Sequence, residues 1–277
     1  MTIDQLAGQM IAADFEVVTD LDKNLTDPNE AVTLGLGSLL VSGMVAITDN
    51  GNLAKINSAT YQSHMDSFKQ GTLTNWKRLI DRFRDIGVFV SSKDGGKYKI
   101  KLLTATDAIH GDQHTIGTIL FPHNIGASCS HNEANFENVG YWTRISMKKT
   151  GFNHAYVPTV AVSHNPQWGR YYETMGQNEN DISKYAEAYV RGLQDVSSNK
   201  INGVLGSTKH FFGDGSTSSG CNMGNVDVMN FKNYLDHNLG GYYGSVSSNI
   251  GNVMVSYSAI NWIPSSINSE YLMGLLR

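Results

Sequence analysis

Apolar residues in this chain gather in short runs separated by longer amphipathic stretches. Runs at 37–41, 100–105, 155–162, 204–207 and 253–257 have the length and aliphatic content of buried strands. Between them the apolar spacing changes to the helical period. Ile182, Tyr185, Ala186, Tyr189, Val190 and Leu193 fall on one face of a helix predicted over 181–194, with Asn180 or Asp181 as its cap. A second helix, predicted over 133–150, begins with acidic residues, ends on Lys148 and Lys149 and is closed by Gly151, in keeping with the helix dipole and with glycine's preference for the C-terminal cap. Residues 61–86 read as helical too. Residues 91–99, with Lys93-Asp94-Gly95-Gly96, read as a loop or hairpin tip. Strands alternating with helices predict a parallel sheet with helices outside it. No Gly-x-Gly-x-x-Gly turn follows the first strand, which argues against an open dinucleotide-binding sheet. The expected architecture is an α/β (β/α)8-type, TIM-like barrel, incomplete, with about five or six strands countable here.

Composition narrows the picture. A chain of 277 residues that is 40% hydrophobic can bury a full core, and one large domain over 1–277 is expected. Net charge is -4 with acids and bases interspersed, so neither a nucleic-acid footprint nor a basic membrane patch is present, and a neutral or weakly polar substrate fits best. No apolar run approaches the roughly 18 residues of a membrane span, and Met1-Thr2-Ile3-Asp4-Gln5 lacks the regions of a signal peptide. Cys129 and Cys221 are too few and too far apart for a disulfide framework or a metal-ligand spacing. Asn24-Leu25-Thr26 is a glycosylation triplet that matters only in a secreted protein.

The candidate chemistry lies where the apolar runs end. Gly203-Val204-Leu205 gives way to Lys209-His210-Phe211-Phe212-Gly213-Asp214-Gly215, which reads as a basic, glycine-rich loop. The run at 100–105 leads to Asp107-Ala108-Ile109-His110-Gly111, and 155–162 leads to Asn165-Pro166-Gln167-Trp168-Gly169-Arg170-Tyr171-Tyr172-Glu173. The last run leads through Ser256-Tyr257 to Asn261-Trp262. In a parallel barrel these C-terminal strand ends line one mouth. Carboxylate, guanidinium, ammonium, imidazole and aromatic groups suit a pyranose, which has hydroxyls around its edge and C–H faces above and below. Asp107 can accept from two hydroxyls, while Lys209, His210 and Arg170 can donate. Tyr or Trp can pack on a sugar face. Arg170 and Glu173 are also spaced to form only a structural ion pair. His110 and His114 lack a third ligand and do not mark a zinc site; His123 reads as a packing or loop histidine; Cys129 and His131 carry no sign of an activated thiol.

These segments, in order and at their spacing, resemble family 3 glycoside hydrolases, in particular the β-glucosidase and exo-β-glucanase branch. Residues 1–10 look like the family's opening helix. Asp107-Ala108-Ile109-His110-Gly111 with Phe121-Pro122-His123-Asn124-Ile125-Gly126, then Pro166-Gln167-Trp168-Gly169-Arg170 with Glu173, Lys209 to Gly215, and Met254-Val255-Ser256-Tyr257 complete the likeness. The resemblance implies a retaining hydrolase of terminal β-D-glucosyl residues, with the nonreducing-end sugar held by Asp107, Arg170, Lys209, His210 and Tyr257, and with Trp168, Glu173 and Asp214 in support. It implies no cofactor and no metal, and a secreted or lysosomal or vacuolar setting. Asp214 stands where the N-acetylglucosaminidase branch carries a histidine, which indicates the glucosidase branch.

Three departures are visible. The family's nucleophile aspartate and its acid/base lie beyond the segment corresponding to Arg277, so none of the catalytic residues falls in this chain and a companion segment or chain is expected to complete the barrel and to add a second α/β domain. Met223 replaces a glutamate of the plant-type members, and His164-Asn165 replaces an Arg-Asp pair. The alternative expectation is a noncatalytic carbohydrate-binding or structural subunit.

Overall fold

A computed structural model describes residues 3–20, 25–27, 31, 35–41, 45–47, 53–55, 69–91, 97–197 and 200–276. They group into two compact units, one of Met1–Asp107, Asp112–Thr118 and Ser146–Ala155, the other of Ala108–Gly111, Ile119–Ile145 and Tyr156–Arg277.

In the first unit four parallel strands lie side by side in the order Ala12–Asp14, Ser38–Val41, Leu103–Thr106 and His154–Ala155, with Ala12 opposite Ser38, Ser38 opposite Leu103 and Ala105 opposite His154. Their buried residues include Leu39, Val41, Ala105 and Ala155. Burial of this kind is what a parallel sheet with both faces covered requires. The helix Leu73–Phe83 is capped by Thr72, whose side chain accepts from the Asn75 amide, and it buries Trp76, Leu79, Ile80 and Phe83 on one face. Phe83 meets Phe15 edge to face at 5.0 Å between ring centroids, and Trp76 lies 5.8 Å from Phe152. Of the helix expected over 61–86, Leu73–Phe83 is formed, while residues 70–72 and 84–86 are not helical; residues 61–68 lie outside the described residues, as do residues 92–96 of the expected loop or hairpin tip.

The apolar run 100–105 is not one strand. Lys97–Lys101 pairs antiparallel with Gly87–Ser91, and Leu103–Thr106 begins afresh in the parallel sheet after the buried Leu102. Lys97, Lys99, Ile100 and Lys101 are exposed, whereas Thr104, Ala105 and Thr106 are buried, so the two pieces differ in burial as well as pairing.

In the second unit Leu205–Phe211 runs parallel to Asn252–Val255, Lys209 opposite Met254 and Phe211 opposite Val255, with an irregularity between Lys209 and Phe211. The run at 155–162 also departs from expectation. Only His154–Ala155 is regular strand, and the buried backbone beyond it joins Leu205–Phe211 through a bridge between Thr159 and Lys209. Pro158 has no N–H to give a ladder, while its carbonyl accepts from the Lys209 amide at 3.0 Å.

The helix Glu179–Gln194 starts two residues before the expected 181 and is capped by Asn178, whose side chain accepts from the amides of Asn180 and Asp181. The helix Glu133–Thr150 has the expected bounds, and Gly151 follows it at φ +97°. A small sheet of Asn225–Val226, Ala259–Ile260 and Ile263–Pro264 follows the strand ends. Among the described residues the main sheet has six parallel strands, four in the first unit and two in the second, and the chain is an α/β protein of the incomplete TIM-like barrel type. Among the described residues no helix is long and apolar enough to cross a membrane.

Candidate functional site

The second unit gathers most of the polar residues singled out by the sequence. After the buried stretch ending at Val162, the chain turns through Trp168-Gly169-Arg170 into a short 3-10 helix, Tyr171–Glu173. That turn folds Arg170 back onto Glu173: Nε donates to Oε1 at 2.7 Å and Nη2 donates to Oε2 at 2.6 Å. A two-point pair of this kind fixes the plane of the guanidinium as well as its position. Glu173 is itself held by Thr159, whose hydroxyl donates to Oε2 at 3.3 Å, and its main-chain carbonyl accepts from the Asn124 amide group at 2.8 Å. Burial alone would raise the Glu173 carboxyl, but the Arg170 bond and charge, with Lys209 adding, hold it below the usual value. Arg170 shifts the other way: burial pulls it down and the carboxylate of Glu173 more than restores it.

The strand Leu205–Phe211 carries the other half of the network. The expected loop at Lys209-His210 is strand instead, and the turn starts only at Gly213, φ +91°, against which Tyr234 packs so closely that any Cβ would meet its hydroxyl at 1.6 Å. Lys209 is buried, and the His210 side chain is 12% exposed. Arg170 Nη1 lies 3.1 Å from His210 Nε2, and His210 Nδ1 lies 2.8 Å from Asp214 Oδ2. A guanidinium only donates, so Nε2 accepts and the ring hydrogen sits on Nδ1, donated to Asp214. The result is a continuous string, Glu173 to Arg170 to His210 to Asp214, in which the Arg170 side chain remains partly exposed while Glu173 and Asp214 are buried. His210 was expected to donate to a sugar oxygen. Its Nε2 is here an acceptor.

A ring cluster flanks the string. His110 Nδ1 donates to the Phe121 carbonyl at 2.8 Å, its ring lies 4.1 Å from that of His123, and His123 lies 4.8 Å from Tyr172. Burial lowers the His123 pKa, helped by His110 and opposed by Glu173. His123 packs as expected, yet its Nδ1 is buried with no hydrogen-bond partner among the described residues.

The remaining expected residues are placed differently. Asp107 follows the Leu103–Thr106 strand in the first unit, half-buried, where its charge opposes the lowering that burial imposes on His114. Tyr257 follows the Asn252–Val255 strand, is 79% exposed and is not part of the hydrogen-bonded string. Trp168 is 2% exposed, so it fills the interior behind the turn and presents no face to a ligand. Thr159 and Asn124 were not singled out as supports, because nothing in the sequence places them beside Glu173. Cys129 and Cys221 are free and exposed. Among the described residues no three His, Cys, Asp or Glu side chains gather as a metal site.

Residues 25–277 match the model of the glycosyl hydrolase family 3 N-terminal domain. The chain is 30% identical over 181 residues to a periplasmic β-glucosidase of Salmonella typhimurium, covering 65% of this chain and 23% of that protein. It is 25% identical over 295 residues to a lysosomal β-glucosidase of Dictyostelium discoideum, covering 100% of this chain and 32% of the other. β-Xylosidases are among its further relatives. The crystal structure of an exo-1,3/1,4-β-glucanase from a Pseudoalteromonas species superposes with a TM-score of 0.77 at 27% identity, covering 100% of this chain and 31% of that one. The chain thus spans about a quarter to a third of the length of these relatives. Taken with the Arg170–Glu173 and His210–Asp214 pairs beside the parallel strands, these matches place the chain in glycoside hydrolase family 3, similar to its β-glucosidases and β-xylosidases.

Proposed function

We propose that this chain supplies the sugar-gripping part of an exo-acting, retaining β-glycosidase that releases terminal β-D-glucosyl residues, with nucleophile and acid/base contributed by a further segment or chain. The supporting observation is the Glu173–Arg170–His210–Asp214 string. It holds the Arg170 guanidinium, which keeps further N–H donors, in fixed orientation beside the end of a parallel strand, with His210 and Asp214 as its support and buried Lys209 next to His210 in the chain. Directional groups of this kind discriminate among hydroxyls, because a ligand lacking one leaves a desolvated partner unpaired. For Asp107 and Tyr257 the assignment rests on the family resemblance alone. A retaining mechanism needs two further carboxylates about 5–5.5 Å apart across the glycosidic bond, which is why the reading calls for more protein than the residues described.

The test is substitution of Arg170 in the native protein, with hydrolysis of an aryl β-glucoside and binding of glucose as readouts. Lysine keeps the charge but loses the two-point pair with Glu173. Arg170→Lys is expected to weaken glucose binding by about 10- to 100-fold, the worth of one hydrogen bond to a charged group. Unchanged binding and turnover in that variant would overturn the proposal. Saturable glucose binding without hydrolysis in the native protein would identify a noncatalytic carbohydrate-binding subunit instead. An aryl β-xyloside hydrolysed in preference to the glucoside would reassign the sugar.

A further inference from the structure

The hairpin between Ala259–Ile260 and Ile263–Pro264 turns through Asn261 at φ +48° and Trp262 at φ +69°. Two successive left-handed residues make the tight turn that normally selects Asn-Gly, because only glycine takes the second position without strain. Tryptophan there is an outlier, held in a conformation that its side chain disfavours. Nothing in its packing offsets this, since the side chain is 79% exposed. The turn is nevertheless held firmly. The Asn261 amide donates to the Val226 carbonyl at 2.9 Å, Asn261 Oδ1 accepts from the Val228 amide at 2.8 Å, and Asn225 Oδ1 accepts from the Trp262 amide at 2.7 Å. A strained, pinned and solvent-facing indole is the signature of a residue kept for contact with something outside the chain.

Its place in the fold indicates the occupant. The segment from Ser256 to Trp262 leaves the strand end that pairs with Leu205–Phe211, and the Ser256 amide donates to the Phe211 carbonyl, one residue beyond His210, at 2.6 Å. The hairpin therefore rises from the same strand ends that carry Lys209 and His210. We propose that Trp262 is a stacking platform for a second or third sugar of a β-glucan chain whose terminal residue is held by the Arg170–His210 string, so that oligosaccharides are preferred to glucosides with small leaving groups. A rigid indole face suits the C–H face of a pyranose and costs little side-chain entropy on binding. The assignment rests on the sugar-gripping function proposed above.

The experiment compares glucose, cellotriose and laminaritriose binding to the native protein and to Trp262→Gly and Trp262→Phe, by calorimetric titration, with thermal unfolding alongside. The parent is expected to bind at least one trisaccharide about tenfold or more tighter than glucose, a gain of the size an aromatic contact supplies. Trp262→Gly is expected to keep glucose affinity, to lose the trisaccharide advantage and to melt no lower than the parent, since glycine relieves the turn. Trp262→Phe is expected to keep most of the advantage. A trisaccharide-to-glucose ratio unchanged in Trp262→Gly overturns the platform, whatever the melting temperature does. A parent that binds glucose but gains nothing from longer chains overturns the platform and leaves the glucose grip standing. A parent that binds neither overturns both.

Discussion

His210 sits between a group that can only donate and one that accepts through Oδ2, so its two neighbours decide which ring nitrogen carries the hydrogen. An asparagine at 214 can still accept from Nδ1–H through its Oδ1, and Arg170 opposes a hydrogen on Nε2, so Asp214→Asn alone is expected to keep the Nδ1–H tautomer. Removing both controls, in Arg170→Ala with Asp214→Asn, is expected to let the Nε2–H tautomer form, visible in the nitrogen-15 shifts of the His210 imidazole even without ligand. Loss of the fixed Arg170 edge is expected to weaken glucose binding by roughly tenfold or more. An unchanged spectrum in the double variant would show that these two neighbours do not direct His210. At this scale the sequence disclosed which residues matter, since Arg170, Glu173, His210 and Asp214 all stood out as polar groups at the ends of apolar runs. It did not disclose the direction of the hydrogen bond at His210 Nε2, because that depends on a partner 40 residues away.

The helices of the second unit meet through glycine. A Cβ on Gly192 would lie 2.1 Å from the Glu137 carbonyl oxygen, and one on Gly140 would lie 2.3 Å from that of Tyr189, so the backbones of Glu133–Thr150 and Glu179–Gln194 approach without side chains between them. Phe136 and Tyr185 stack at 4.5 Å further along the same contact. Gly192→Ala places a methyl group against a carbonyl that has no rotamer to escape through. The overpacking is expected to cost about 1–3 kcal/mol or more, despite alanine's better helix propensity, and urea unfolding would measure it. A gain in stability would show that the two helices have room to part. Both helices were legible from their period and end signals, because 16 to 18 residues of consistent patterning leave little choice. The strands were legible only as apolar runs. The break at Leu102 and the loss of ladder after Ala155 follow from pairing partners and from Pro158, which a run of hydrophobicity does not encode.

At the scale of the whole molecule, two buried groups in the first unit set opposing responses to pH. Burial pushes the Asp112 carboxyl up from 3.8 to about 6, and among the described residues neither of its side-chain oxygens has a hydrogen-bond partner. Burial pulls the His154 imidazole down from 6.5 to about 4. Between about pH 4 and 6 the native Asp112 keeps a proton that the unfolded chain has lost, so its contribution to stability falls as pH rises through that window. Native His154 over nearly the same range lacks a proton that the unfolded chain holds, so its contribution rises. Each swing is about 3 kcal/mol, and the two nearly cancel. The parent is therefore expected to show little change from this pair across the window. Asp112→Asn removes the falling part, and its stability relative to the parent is expected to climb by about 3 kcal/mol between pH 4 and 6.5. His154→Gln removes the rising part and is expected to lose a similar amount relative to the parent over the same range. Urea unfolding at pH 4, 5, 6 and 7 distinguishes the three proteins. Stability profiles that run parallel for all of them would show that neither group is desolvated in the folded state, whereas opposite slopes in the two variants would establish that a nearly flat parent curve is the sum of two steep ones.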